Sequence, residues 1–478
     1  MDRKAMLGHK VRRLRQENNL TQIEMAETLE ISPSYLNLIE HNQRPLTVPL
    51  LFRLGQAFEI DLKDFAEDED ARLAASLREV FSDPLFESHS LREAEIRELA
   101  AVSPNAAEAV LQMYDAYRVQ REDLQAMAQR LADPDTAQSL DFQTDPVEEV
   151  RGLYQQHNNH FPELELVAQQ LWEDANLKAN DLYRGLTSYL KEVRGIDTRI
   201  MPVDVMQDTL RRYDHHRRRV LLSETMPMSG WNFQIAAQIA LLGHRELIKR
   251  TIAKAQLSSP EAERLATIGL AGYFAGAVQM PYERFLESAK EFRYDIELLQ
   301  ARFRVSFEQV CHRLTTMQQP GARGIPFFFI RVDHAGNVSK RLSGAGFNFA
   351  RFGGTCPRWI VHDTFRAPGR IYTQVTAMAD GMTFLNIAKT VDPASIGYGA
   401  QAPQMAIAVG CEAKHARQLV YADGLDVDDE SKATPIGVSC RVCERMDCNQ
   451  RAHPPLNQRL RLDENIRRVA PFSVSGGA

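Results

Sequence analysis

Residues Thr21–Pro45 read T-Q-I-E-M-A-E-T-L-E-I-S-P-S-Y-L-N-L-I-E-H-N-Q-R-P, and this stretch decides the reading of the amino-terminal part of the chain. Thr21-Gln22-Ile23-Glu24 is a capping box: the threonine hydroxyl accepts from the Glu24 amide while the carboxylate reaches back to the Thr21 amide. A helix therefore starts at Thr21 and runs to about Leu29. Glu30-Ile31 breaks it, and Ser32-Pro33 is an N-cap followed by proline at the first helical position, which predicts a second helix over Pro33–Glu40. Two short helices across a tight turn, behind a basic segment, have the pattern of a helix-turn-helix whose second helix enters the DNA major groove.

In that second helix Leu36 and Ile39 are predicted to face a core, leaving Ser34, Tyr35 and Asn37 outward with side chains suited to base edges. Gln22 and Ser32 stand at helix N-termini, where amides and dipole attract phosphate, and Asn42 and Arg44 follow the helix to hold the backbone. Upstream, Arg3, Lys4, Lys10, Arg12, Arg13 and Arg15 form a basic patch without an acid among them. The alternative is a helical bundle that binds another protein. Residues 1–66 resemble the lambda-repressor-like (XRE) helix-turn-helix family, an all-α fold. Glu30 departs from it, since the family often places glycine there for a left-handed turn. A module this small contacts few base pairs, so the expectation is a homodimer on double-stranded operator DNA.

Outward from this module the 478-residue chain is long enough for about three domains. Its net charge of -6 excludes a uniformly basic nucleic-acid coat. No apolar run reaches the length of a membrane span, and Met1–Lys10 lacks a signal core, so the expected location is cytoplasmic, with no membrane partner. A helical connector is expected over 71–131. Leu131–Val147, rich in Asp, Pro, Thr and Ser, reads as a linker.

Residues 147–317 are mostly helical in pattern, with β-like pieces at Thr198–Val203 and Arg219–Leu222 and a helix start at Ser259-Pro260. Beyond the loop Gln318–Gly324, runs at Pro326–Val332, Trp359–His362 and Ile371–Val375 predict strands, so 318–478 reads as α+β. The middle part resembles the IrrE N-terminal-like, zincin-related domain through Y-F-A-G-A-V-Q-M-P-Y-E-R-F and S-F-E-Q-V-C-H-R-L. Active members carry H-E-x-x-H on the central helix, but Ala237-Gln238-Ile239-Ala240-Leu241 stands at the matching place and offers neither zinc ligand nor base. The expectation is a non-catalytic scaffold, against the alternative of a zinc peptidase acting on a partner repressor.

Of the six cysteines, Cys411, Cys440, Cys443 and Cys448 lie late in the chain. Cys440-Arg-Val-Cys443 brings two sulfurs to one point, and Cys448 and Cys411 would complete four-fold ligation of zinc or of an iron–sulfur cluster; the thiolates alone do not separate the two. Arg331, Arg341, Arg351, Arg358, Arg366 and Arg370 alternate with Phe327, Phe329, Phe347, Phe349 and Trp359, a mixture that reads as core and surface more than as a pocket, and no ligand-binding residue is assigned. Gly344-Ala-Gly346 is no dinucleotide fingerprint.

Taken together, the amino-terminal module, the middle part without its zinc motif, and the tail G-C-E-A-K-H-A-R-Q-L-V-Y-A through G-V-S-C-R-V-C-E-R-M-D-C-N-Q-R-A-H-P-P resemble the short-chain fatty acyl-CoA regulator family of bacterial transcription factors. That resemblance implies control of acetate, propionate or glyoxylate-type carbon metabolism. It also implies a short-chain acyl-CoA effector and an iron–sulfur cluster on the four late cysteines. A regulator in which the cluster itself is a redox switch is the competing expectation.

Overall fold

The computed structural model describes the chain except for residues 1–7, 19, 42, 45, 59–68, 87–90, 132–145, 345–346, 348, 350–354, 380, 392–402, 442, 444, 447, 456–459, 461–463, 467–468, 470–471 and 473–478. Contacts divide it into two compact units, Met1–Arg118 and Val119–Ala478. Part of the expected basic patch (Arg3 and Lys4), Asn42, Arg351 and most of the expected linker lie outside the described residues.

The first unit opens with α1 (Gly8–Glu17), α2 (Gln22–Thr28), α3 (Pro33–Glu40) and α4 (Val48–Ala57). Both predicted caps are present: Thr21 and Glu24 close their box, and the Ser32 hydroxyl accepts from the Tyr35 amide. Val11, Met25, Ala26, Leu29, Leu36, Ile39, Leu50 and Leu54 form the core. Each fully buried large aliphatic among them contributes about 1.5–3 kcal/mol. The turn between α2 and α3 passes through Glu30 at φ 54°, the left-handed conformation that glycine would take without strain. Arg53 braces it, donating to the Leu29 carbonyl at 3.0 Å and pairing with Glu30 at 3.1 Å.

Beneath the core apolar set lies one buried charge. Glu40, with its side chain 1% exposed, accepts from Arg15 Nε and Nη2 (2.7 and 3.1 Å) and from Gln22 Nε2 (2.8 Å). This corrects one expectation: Arg15 turns inward and is neutralised; the Gln22 side chain, at the start of α2, is held by Glu40 and by the Asn37 side chain at 3.3 Å, which ties α2 to α3. Helices α5 (Glu69–Phe81), α6 (Glu93–Val102) and α7 (Pro104–Leu131) follow, with Arg78 paired to Glu93 and Tyr114 donating to Asp83 at 2.7 Å.

In the second unit, α8 (Pro146–Gln156), α9 (Pro162–Asp174) and α10 (Leu182–Arg194) lead to a three-stranded sheet. Its strands are β1 (Asp197–Met201), β2 (Arg211–Asp214) and β3 (Arg219–Ser223), in the order β1-β3-β2. Strand β2 falls in a basic run whose charges hide any strand pattern. After the single turn α11 (Val203–Met206), between β1 and β2, and after β3, come α12 (Met228–Gly243), α13 (Arg245–Ala253), α14 (Pro260–Gln279), α15 (Tyr282–Glu291), α16 (Ile296–Phe303) and α17 (Phe307–Leu314). Residues 236–240 of α12 are buried, packed against α14.

The carboxy-terminal sheet has β4 (Phe328–Asp333), β5 (Val338–Leu342), β6 (Tyr372–Ala377), β7 (Thr383–Val391), β8 (Met405–Glu412) and β9 (Thr434–Pro435), in the order β5-β4-β8-β7-β6-β9. Only the β6–β9 pairing is parallel. The expected strand at Trp359–His362 is instead a 3-10 segment, Ile360–Arg366, laid on the sheet. Trp359 is its anchor, donating to the buried Asn386 side chain at 2.8 Å. Both sheet faces are buried. Phe327, Phe329, Leu385, Ile387, Ile407, Val409 and Cys411 join the core of the helical part, whereas Phe328, Ile330, Val332, Phe384, Ala388, Ala406 and Ala408 face Trp359, Phe347 and Cys356. The middle and carboxy-terminal parts therefore share a core within one compact unit. Among the described residues no helix is long and apolar enough to cross a membrane.

The Arg15–Glu40 pair gives the first prediction. Arg15→Ala leaves a buried carboxylate short of its countercharge and is expected to destabilise the first unit by roughly 3 kcal/mol. Burial opposes ionisation of Glu40, but the bonds from Arg15 and Gln22 outweigh it and hold the carboxyl below its ordinary 4.5. Its contribution is thus complete at neutral pH and is lost as pH falls below that value. Urea unfolding of wild type and variant at pH 7 and in acid reads both effects.

Candidate functional site

The exposed surface of α3 is the first element. Ser32 and Pro33 open it, and Ser34 and Asn37 are exposed, as is Arg44 after the helix. Tyr35 is half-buried and leans on the core, so it offers less to a partner than its neighbours. The Asn37 side-chain oxygen accepts from Gln22, which sets the orientation of that amide. Short polar groups at the start of a helix, where the dipole is positive, suit phosphates and base edges.

A cleft of about 1320 Å³ is the second element, and sequence reasoning did not find it. Its walls are α8, α12, α14, α17 and the β4–β5 hairpin. Gly269, Gly272 and Gly276, three and four residues apart, open one face of α14 toward it, beside Phe233, Leu265 and Ile268. A Cβ at Gly276 would meet nothing within 4 Å, so the cleft, not packing, occupies that space. That glycine spacing was the available signal in the sequence.

The opposite wall is cationic: Arg151, Arg313, Arg331, Lys340 and Arg341 line the cleft with Glu148 and Glu308. Arg341 and Arg151 both reach Glu148 (2.6 and 2.7 Å), and Arg331 reaches Glu308 at 2.8 Å. At its floor Arg313, buried, forms a two-pronged pair with Glu165 (2.6 and 2.9 Å), and the Tyr273 hydroxyl donates to the same carboxylate at 2.6 Å. Burial opposes ionisation of Glu165, yet Arg313 and Tyr273 hold its carboxyl below the ordinary range. Burial, reinforced by Lys340, Arg313 and Arg331, holds His312 well below the usual histidine range and therefore neutral. Of the arginines noted in the sequence, Arg331 and Arg341 enter this wall, while Arg366 is exposed beside Asp363.

The cysteines form the third element, with a correction. Cys411 sits in β8 beside Leu385, buried on the sheet face that packs against the helices. Cys440, Cys443 and Cys448 lie instead on the other side, where they line a small cavity with Cys356. Because alternate strand residues point to opposite faces, Cys411 has the sheet between it and the other three. The isolated Cys356 carries no spacing signal, so the chain's fold alone reveals it as their neighbour.

Burial raises the Cys356 thiol, the amides of Gly437 and Arg358 bond its sulfur and oppose that rise, and Cys440 and Cys443 add to it. The Ala452 amide donates to the Cys440 sulfur at 3.4 Å. A Cβ on Gly437 would stand 2.7 Å from the Cys443 sulfur, so glycine is required there. Arg451, buried, donates to the Cys440 and Cys443 carbonyls at 3.1 and 3.3 Å and fixes the loop. The four thiols line one cavity, and four thiolates are the donor type that zinc or an iron–sulfur cluster takes. Among the described residues no group of three or more His, Cys, Asp or Glu side chains is placed to hold a metal ion.

Comparison with known proteins covers all three elements. Residues 316–472 match the family described as short-chain fatty acyl coenzyme A regulator, C-terminal, residues 191–315 the IrrE N-terminal-like domain, and residues 11–65 a helix-turn-helix. The chain is 41% identical over 474 residues to the HTH-type transcriptional regulator RamB of Mycobacterium tuberculosis, covering 98% of this chain and 99% of that one. It is 41% identical over 468 residues to the HTH-type transcriptional regulator PrpR of the same organism (98% and 95% covered). It is also 37% identical over 474 residues to the propionyl-CoA carboxylase regulator of Cereibacter sphaeroides (99% and 100%). A solved Mycobacterium tuberculosis transcriptional regulator aligns with TM-score 0.66 at 41% identity, over 69% of this chain and 99% of that chain.

The cleft floor yields the second prediction. Glu165→Leu leaves Arg313 buried without its carboxylate and is expected to lower stability of the second unit by roughly 3 kcal/mol. Thermal unfolding followed by circular dichroism measures the loss.

Proposed function

The chain belongs to the short-chain fatty acyl coenzyme A regulator family, and from that membership we propose a homodimeric, cytoplasmic transcription regulator whose hold on operator DNA is set by an acyl-CoA in the cleft. The regulatory role follows from relatives that match over their whole length and are named as transcriptional regulators. The cleft carries the ligand half of the reading. Acyl-CoA is anionic at its phosphates and small and apolar at its acyl end, and the cleft joins a cationic wall to a glycine-opened apolar one. A ligand that binds one arrangement of the paired α3 helices better than another shifts DNA affinity by that difference.

Cys356, Cys440, Cys443 and Cys448 would hold the metal group, an iron–sulfur cluster by resemblance to the family, with zinc as the alternative. When bound, such a group would tie Cys356, ahead of the 3-10 segment, to the late cysteines, and iron in place of zinc would add sensitivity to oxidants. A redox-responsive regulator is the second reading, favoured by the half-exposure of Cys440, Cys443 and Cys448. The scaffold reading of the middle part is supported by Ala236, Ala237, Gln238, Ile239 and Ala240, which are buried where an active peptidase would present its metal ligands. We therefore assign no enzymatic activity to it.

Titration calorimetry with propionyl-CoA tests the ligand, and Gly276→Leu, whose Cβ meets nothing within 4 Å and whose side chain enters the cleft, is expected to weaken binding by at least about tenfold (~1.4 kcal/mol). Failure of wild type to bind any short-chain acyl-CoA overturns the reading. In gel shifts on the chain's own promoter, Ser34→Ala with Asn37→Ala is expected to cost about 1–3 kcal/mol of preference over random DNA. Metal analysis after anaerobic purification is expected to show iron or zinc lost in Cys356→Ser and kept in Cys411→Ser. The reverse pattern would restore the ligand set expected from sequence.

A further inference from the structure

The cleft contains a nucleophile that ligand binding by itself does not require. Lys340 is the one lysine among the described residues that line it. It stands on β5, directly opposite Arg331 of β4, with Nζ 5.9 Å from the centroid of the Phe329 ring. The neighbouring arginines are engaged: Arg331 with Glu308 and with the Ser339 hydroxyl, Arg341 with Glu148. No hydrogen bond or ion pair ties up the Lys340 ammonium among the described residues. It is a cation held against an aromatic ring, with its lone pair available once a proton leaves.

We propose that Lys340 is a self-acylation site, at which a short-chain acyl-CoA bound in the cleft transfers its acyl group to Nζ. This rests on the cleft being the acyl-CoA site. The neutral amine attacks the thioester carbonyl carbon, a C–N bond forms, the C–S bond breaks, and coenzyme A leaves as the thiol with the proton shed by nitrogen. No oxidant, reductant or further reactant enters. The product is an amide, so the cleft loses a positive charge and gains an apolar acyl chain next to Phe329. That change outlasts dissociation of the ligand.

Amine reactivity needs the neutral form. Burial pushes Lys340 down to about 8, with Glu308 opposing and Arg331 adding to the fall. The groups acting on it from α17 are Glu308 and His312, and from β4 Arg331. Glu308 is already paired with Arg331, and His312 is neutral, so neither restores the usual lysine basicity. At pH 7.5 a lysine titrating near 8 is neutral roughly two hundred times more often than one at the ordinary value. Proximity of a bound thioester adds to this advantage over lysines that meet acyl-CoA only by collision. The transfer occurs once per chain and regenerates no free enzyme, which is consistent with a regulator without turnover.

The test is incubation of the full chain with propionyl-CoA, followed by intact mass and peptide mapping, with a non-reactive thioether analogue of propionyl-CoA titrated in parallel. The expected result is one propionyl group per chain, located on Lys340, formed at least about tenfold faster than on exposed lysines such as Lys249 and slowed by the analogue in competition. The adduct is expected to disappear in Lys340→Arg, checked for an unchanged thermal melt. If the analogue binds wild type but Lys340 is acylated no faster than exposed lysines, the proposal is overturned and the cleft remains a simple binding site. If the analogue does not bind, the acyl-CoA reading of the cleft fails and the acylation proposal falls with it.

Discussion

The arrangement of the second unit depends on a six-stranded sheet that is buried on both faces. A side-chain period of two sends alternate residues to different cores. On one face Phe327, Phe329, Ile407, Val409 and Cys411 merge with the helical part; on the other Phe328, Ile330, Phe384 and Ala408 pack under Trp359. The first packing places the β4–β5 hairpin across from α14 and so creates the cleft. The second gives Cys356 and the 434–451 segment a common seat. Gly410 shows how tight this is, because a Cβ there would approach the Leu385 carbonyl to 2.5 Å and the Phe328 ring to 2.6 Å.

The helical part matches the IrrE N-terminal-like domain without carrying H-E-x-x-H on its central helix. Where an active member exposes ligands on its central helix, α12 turns alanines and Ile239 into the core against α14. The neighbouring face of α14, stripped of side chains at Gly269, Gly272 and Gly276, supplies open volume instead. Buried polar chemistry sits just below, in the Glu165–Arg313–Tyr273 set. A buried ion pair of this kind adds less to stability than to uniqueness of position, since its attraction must first offset desolvation. In this fold it locks α9, α14 and α17 at the floor of a cavity whose shape matters.

A comparable economy governs the amino-terminal unit. Arg15, Gln22 and Glu40 join three helices through one carboxylate, and the left-handed Glu30 sets the angle at which α3 leaves the core. A base-reading helix must keep its polar face outward in a fixed register. Bonds from α1 and α2 to the last residue of α3 achieve this, and on the exposed face only the Asn37 side-chain oxygen is drawn in, by Gln22. Ser34 and Asn37 are thereby left at the surface.

The sequence by itself determined the local elements: the capping box at Thr21, the Ser32-Pro33 helix start, the burial of Leu36 and Ile39, the Ser259-Pro260 helix and the absence of H-E-x-x-H. These depend on residues within a few positions of one another, where propensity and hydrogen bonding act alone. Only the tertiary structure decided that Trp359–Arg366 caps a sheet instead of extending it, and that Gln22 and Arg15 serve Glu40. It also decided that Lys340 enters a cleft and that Cys356, not Cys411, joins the late cysteines. Each of those depends on which face of a strand or helix meets a distant neighbour, and strand parity turns Cys411 to the face opposite the cavity lined by the other cysteines.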